Sequence, residues 1–95
     1  MTTSVSITHH EGTDTFSQQV VVKQPALNAV LFDFNPSSNP KVTRIKALHA
    51  ALIQEMHDLQ ADETSTPFQK RAAAIAITEL EGTQMRAVKA LFAKG

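Results

Sequence analysis

Two proline-initiated stretches with apolar residues at helical spacing, joined by a short polar connection, leave this chain few ways to fold. The first stretch follows Asn35-Pro36-Ser37-Ser38-Asn39-Pro40, where two Asn-Pro pairs frame two serines. Each proline turns the asparagine before it away from the helical region, and Pro40 loses nothing at a first helical position, where an amide has no partner anyway. Asn39 is therefore the expected N-cap of a helix over about residues 40–61. Val42, Ile45, Leu48, Leu52, Ile53, Met56 and Leu59 form its apolar stripe. Thr66-Pro67-Phe68-Gln69 then reads as a capping box, opening a second helix over about residues 67–93 that ends at Lys94-Gly95. The polar connection at residues 62–65 is short enough to force the two helices antiparallel.

Residues 1–34 carry no helical period. Residues 4–8 read as a short strand within an otherwise mobile arm that extends to Asp14. Residues 16–23, with Val20-Val21-Val22, and 29–34, with Val30, Leu31, Phe32 and Phe34, are short, β-branched or aromatic runs bounded by Gln24-Pro25 and Asn35-Pro36. Both read as strands. The expected fold is mainly α: an antiparallel two-helix hairpin over 35–95 behind a short β-rich segment over 1–34. On the second helix, Ala72, Ala73, Ala74 and Ala76 among Ile75, Ile77 and Leu80 predict an inner face that lets a neighbouring helix come close. Met85, Val88, Leu91 and Phe92 add apolar surface on further sides. One hairpin cannot cover a surface wider than one stripe, so the chain is expected to assemble as a homo-oligomer built from a symmetric dimer.

Composition removes several classes of function. Nine Lys and Arg balance nine Asp and Glu, so no bulk charge draws the chain to polymeric nucleic acid or an anionic membrane. Without cysteine there is no disulfide framework, thiolate metal site or cysteine nucleophile, which suits a reducing cytosol. The polar N-terminus lacks the pattern of a signal peptide, and the apolar runs are too short to span a bilayer, so the protein is expected to stay where it is made.

Few side chains are arranged for chemistry. His9 and His10 sit in the arm, and His49 and His57 lack a carboxylate at ligand spacing, so structural or solvated histidine is the simpler reading. No Ser-His-Asp arrangement or Gly-rich phosphate loop occurs, and neither a metal, a cofactor nor catalysis is expected. Thr43 and Lys46 lie three apart on the first helix, and Arg71 and Thr78 share a face of the second with Ile75 between them. Two readings are open. Lys46, Arg71 and a hydroxyl near Phe34 suit an anionic, base-bearing ligand, the cations taking phosphate and the ring stacking on a base. Alternatively, Lys46 and Arg71 are ordinary surface cations and Phe34 belongs to the core.

Phe32-Asp33-Phe34-Asn35-Pro36-Ser37 with Val42-Thr43-Arg44-Ile45-Lys46-Ala47-Leu48, and Arg71-Ala72-Ala73-Ala74-Ile75-Ala76-Ile77-Thr78-Glu79-Leu80-Glu81-Gly82 continuing through Met85-Arg86-Ala87-Val88-Lys89, resemble the helical hairpin of a phage family. It is the family of anti-CBASS and Thoeris anti-defence sponges, which sequester the cyclic nucleotide or cyclic ADP-ribose-type signals of bacterial immunity. The resemblance covers about residues 32–92 and implies a hexamer of hairpins acting in the cytoplasm of the infected host. It also implies that Lys46, in the Ile-Lys pair, contacts ligand phosphate, and that Arg71 and Thr78 are the polar positions of the second helix. The sponge for cyclic dinucleotides stacks a Tyr on the base; here Phe34 is the nearest aromatic, and Ile77 stands where some members have a basic residue before Thr78. The β-rich start is closer to the Thoeris type. A structural or protein-binding oligomer that grips a partner by strand addition is the alternative in a different class.

Light scattering at micromolar concentration should therefore give a mass well above the 10.3 kDa of one chain, a hexamer or at least a dimer. A value of 10.3 kDa at every concentration would remove the basis for assembly.

Overall fold

The long hairpin begins and ends where its caps lie. The computed structural model describes residues 2–93 and runs β1 (Thr2–Glu11), β2 (Asp14–Lys23), α1 (Gln24–Ala29), α2 (Pro40–Ala61) and α3 (Pro67–Leu91). Asn39 Oδ1 accepts the Lys41 amide at 2.9 Å, with Pro40 in the first turn of α2. At α3 both halves of the capping box form: Thr66 Oγ1 accepts the Gln69 amide at 3.1 Å, and Gln69 Oε1 accepts the Thr66 amide at 2.7 Å. Asp62 Oδ1 takes both the amide and the hydroxyl of Thr64, which tightens the connection and lowers the Asp62 pKa. Lys94 and Gly95, the expected end of the second helix, lie outside the described residues.

The N-terminal third differs from expectation, so the fold is mixed α and β. Residues 2–11 form no mobile arm: β1 pairs antiparallel with β2 in unbroken register from Thr2↔Lys23 to Glu11↔Asp14. Gly12, at φ 61°, makes the two-residue loop between them. The strand was hard to read because Ser, Thr and His surround Val5 and Ile7 and dilute the alternation. The strand expected over 29–34 is also absent. Gln24-Pro25 closes β2, as expected, but opens a helix at once, since proline in the first turn is pre-set for helix. Ala26, Leu27 and Val30 then fall on one buried face. Leu31, at φ 51°, ends the segment in the left-handed conformation, which excludes a continuing strand.

The core lies where α1, the helical end of β2 and α2 meet: Val22, Ala26, Leu27, Val30, Ala50, Ala51 and Ile53 are buried together. Ala50 and Ala51 bring the backbone of α2 close to its neighbours. The expected stripe on α2 is thus rotated. Val42 and Ile53 are buried, whereas Leu48 and Leu52 are about half exposed, at 50 % and 51 %. On α3 the expected inner face shrinks to Ala73, with Ala76, Ile77 and Leu80 half-buried; Ala72, Ala74 and Ile75 face outward. Consecutive residues turn about 100° apart on a helix and cannot share one face.

One buried side chain ties the layers. Gln54 Oε1 accepts the Lys23 amide at 2.9 Å, at the junction of β2 and α1, while its Nε2 donates to Asp58 Oδ1 at 2.8 Å. Gln54→Leu leaves the Lys23 amide without that acceptor and should lower stability by about 1 to 3 kcal/mol in urea denaturation. An unchanged midpoint would mean that water replaces the bond freely.

Candidate functional site

The loop from residue 30 to residue 39 is built largely from its own polar side chains. Asn35 Nδ2 donates to the Asn39 carbonyl at 2.9 Å and to Thr43 Oγ1 at 3.3 Å, while its Oδ1 accepts from Ser37 Oγ at 2.7 Å. Ser37 Oγ accepts in turn from the Asn39 amide. Ser38, at φ 56°, turns the chain into α2.

Lys46 fastens the other end of this loop to α2. Its Nζ donates to the Leu31 carbonyl at 2.9 Å and to the Phe34 carbonyl, and lies 5.6 Å from the centroid of the Phe34 ring. Only 5 % of Lys46 is exposed, and burial pushes its pKa below the ordinary lysine value. Lys46 is therefore no ordinary surface cation. Phe34, 64 % exposed, is equally not core. Both halves of the surface-and-core reading fail for this pair, because carbonyls draw the ammonium inward and hold the ring outward.

Phe34 and Lys46, with Asn35, Pro36, Ser37 and Val42, line one side of a cavity of about 170 Å³, bordered on the other by Val88 of α3 and Phe92 just after it. The arrangement presents an aromatic ring, a hydroxyl, an amide and a cation with two of its three N–H groups engaged. Arg71 lies elsewhere. It stands near the start of α3, at the opposite end of the hairpin, where Pro67, Phe68 and Arg71 line a separate hollow; Phe68 is 72 % exposed. Thr43 is engaged by Asn35, and Thr78, exposed midway along α3, donates back to the Ala74 carbonyl at 3.3 Å. One chain thus joins Phe34, Lys46 and Thr43 in a single neighbourhood and keeps Arg71 apart from it.

Phe92, Val88, Asn35, Ser37 and Phe68 were not singled out as site residues by sequence. A signal for the first two existed: once the short connection sets Gln60 beside Lys70, counting back along both helices brings Val42 level with Val88. The other three were absorbed into the reading of turns and caps.

Each end of the hairpin thus carries an aromatic ring beside a cation, the pair of chemistries that an anionic, base-bearing ligand would need. The chain matches the Acb2/Tad1 hairpin domain over residues 25–92. It belongs to that family, the anti-CBASS and anti-Thoeris sponges, whose members bind signals rather than act as enzymes. Neither curated proteins nor solved structures give a match.

Lys46→Met removes the donor to two carbonyls and should lower stability by about 1 to 3 kcal/mol. Amide exchange should quicken in residues 31–39 before it does in α3. A surface cation would change stability by less than about 0.5 kcal/mol.

Proposed function

We propose that this protein is a phage sponge that binds a cyclic nucleotide signal of bacterial immunity, a cyclic di- or trinucleotide or a cyclic ADP-ribose-type molecule, and holds it unaltered. The observation that carries the reading is the exposed Phe34 ring over the buried Lys46 ammonium, in a chain that belongs to the Acb2/Tad1 family. The ring stacks on a base, and the remaining N–H of Lys46 meets a phosphate oxygen. Arg71, with Phe68 beside it, repeats the same pair of chemistries at the far end, and Thr78 adds a hydroxyl on its face. Each cavity in a single chain is open and small for a cyclic nucleotide, so neighbouring hairpins complete the enclosure in a homo-oligomer, a hexamer in this reading. Acting in the cytoplasm of the infected host, a slowly dissociating site lowers free signal below the threshold of the CBASS or Thoeris effector.

Mixing the protein with candidate cyclic nucleotides, removing it by heat or protease and analysing what returns tests this directly. Intact release is expected. An altered product would make the protein an enzyme, and no depletion would leave a structural oligomer. Phe34→Ala should weaken binding by about 1 to 3 kcal/mol with stability nearly unchanged, as suits an exposed ring. Because Lys46 and Arg71 stand at opposite ends, Lys46→Ala and Arg71→Ala should each weaken a different class of ligand, roughly ten- to a hundred-fold. Titrations in which neither variant alters any affinity would overturn the site assignment.

A further inference from the structure

The ribbon formed by β1 and β2 has an edge that nothing among the described residues protects. Ten residues of β1 run without a proline or a break in register, and Glu11 at its very end is the strand's one charge. Exposed edges of this kind are ordinarily blunted by charges, prolines or bulges, because their free amides and carbonyls pair with other strands. The two edges are not alike. β2 leads directly into α1, packs on α2 and gives its Lys23 amide to Gln54, whereas β1 makes far less contact with the helices. β1 is the open one.

A second observation concerns the face of the ribbon. Val5, Val20 and Val22 are packed at the helical end, but the same face continues towards the loop with Ile7, 46 % exposed, and Phe16, 43 % exposed and stacked on His9. Ile7 borders a hollow shared with Leu48 and Leu52 of α2 and Phe16 stands further along the strands, so the outer part of the ribbon overhangs the helices with its apolar face only partly covered. Two-stranded sheets are marginal in water, so such an overhang gains stability from another strand.

We propose that β1 pairs antiparallel with β1 of a second copy, across a two-fold axis at Ser6, to give a continuous four-stranded sheet. One operation answers both observations. A two-fold axis normal to the sheet keeps both apolar faces on the same side, and antiparallel pairing sets the outer half of one ribbon beside the helix-covered half of the other. The strand is complementary to itself in this register. Thr2 to His10 overlap without Glu11, Val5 stands opposite the partner's Ile7, and Ser4 stands opposite the partner's Thr8, so β-branched side chains meet on one face and hydroxyls on the other. Centring the pair on Ile7 instead would set Val5 against His9 and bring Glu11 into the ladder. This interface is separate from the cavities proposed for ligand and does not depend on what they bind.

The chain has no cysteine, so single cysteines report the register. Ser6→Cys should form a disulfide-linked dimer on mild oxidation, since directly opposed residues of an antiparallel pair lie within disulfide reach. Ser17→Cys, on β2 and also exposed, should not, because the two copies of that residue would stand roughly 19 Å apart, three strand spacings across and about four residues along. In the cysteine-free chain, Ser6→Lys places two ammonium groups at the axis and should reduce the particle mass in light scattering, while Ser17→Lys leaves it unchanged. Equal cross-linking of both cysteines, no cross-linking at Ser6, or an unaltered mass for Ser6→Lys would each overturn the proposal. None of these readouts uses a nucleotide, so they fail or succeed apart from the sponge reading.

Discussion

The ammonium of Lys46 sits between two parts of the chain that would otherwise separate. Its bonds to the carbonyls of Leu31 and Phe34 hold the loop after α1 against the first turns of α2. The cavity beside α3 has one of its walls in that loop, and the orientation of the Phe34 ring follows from the same anchor. A buried cation without a carboxylate is costly, and here carbonyls and the aromatic face supply its partners. The arrangement is strained locally as well, with Leu31 and Ser38 both at positive φ on either side of the ring. Residues held in such conformations tend to gather where binding needs a fixed geometry.

The two ends of the hairpin carry related chemistry by different means. At one, a cation is buried beneath an exposed ring; at the other, Arg71 and Phe68 are both open on the first turns of α3. An antiparallel hairpin keeps such ends apart, and only a neighbouring chain can bring them together. The apolar surfaces left around Leu48, Leu52 and Ile75 give neighbouring chains something to cover.

What could be read from sequence was what local chemistry determines. Asn39 and Thr66 set the two helix starts, and the five residues between the helices set their direction. The resemblance carried by the Ile-Lys pair and the Arg71 to Gly82 segment led to the family that the chain matches. The strand expected over residues 29–34 was a misreading: Gln24-Pro25 marks both the end of β2 and the start of a helix, and only burial of Leu27 and Val30 reveals the latter. The burial of Lys46 was hidden for a similar reason: its partners are backbone carbonyls, which leave no mark in a sequence.

Hydrogen-exchange mass spectrometry with and without a cyclic nucleotide that the protein depletes tests the central claim most directly. If the ligand binds at the Lys46 platform, protection should rise in residues 31–46 and 88–92, with the ribbon loop around Gly12 unchanged. Protection confined to the ribbon, or no change in either helical segment while the ligand is held, would contradict a site built on Lys46 and Phe34.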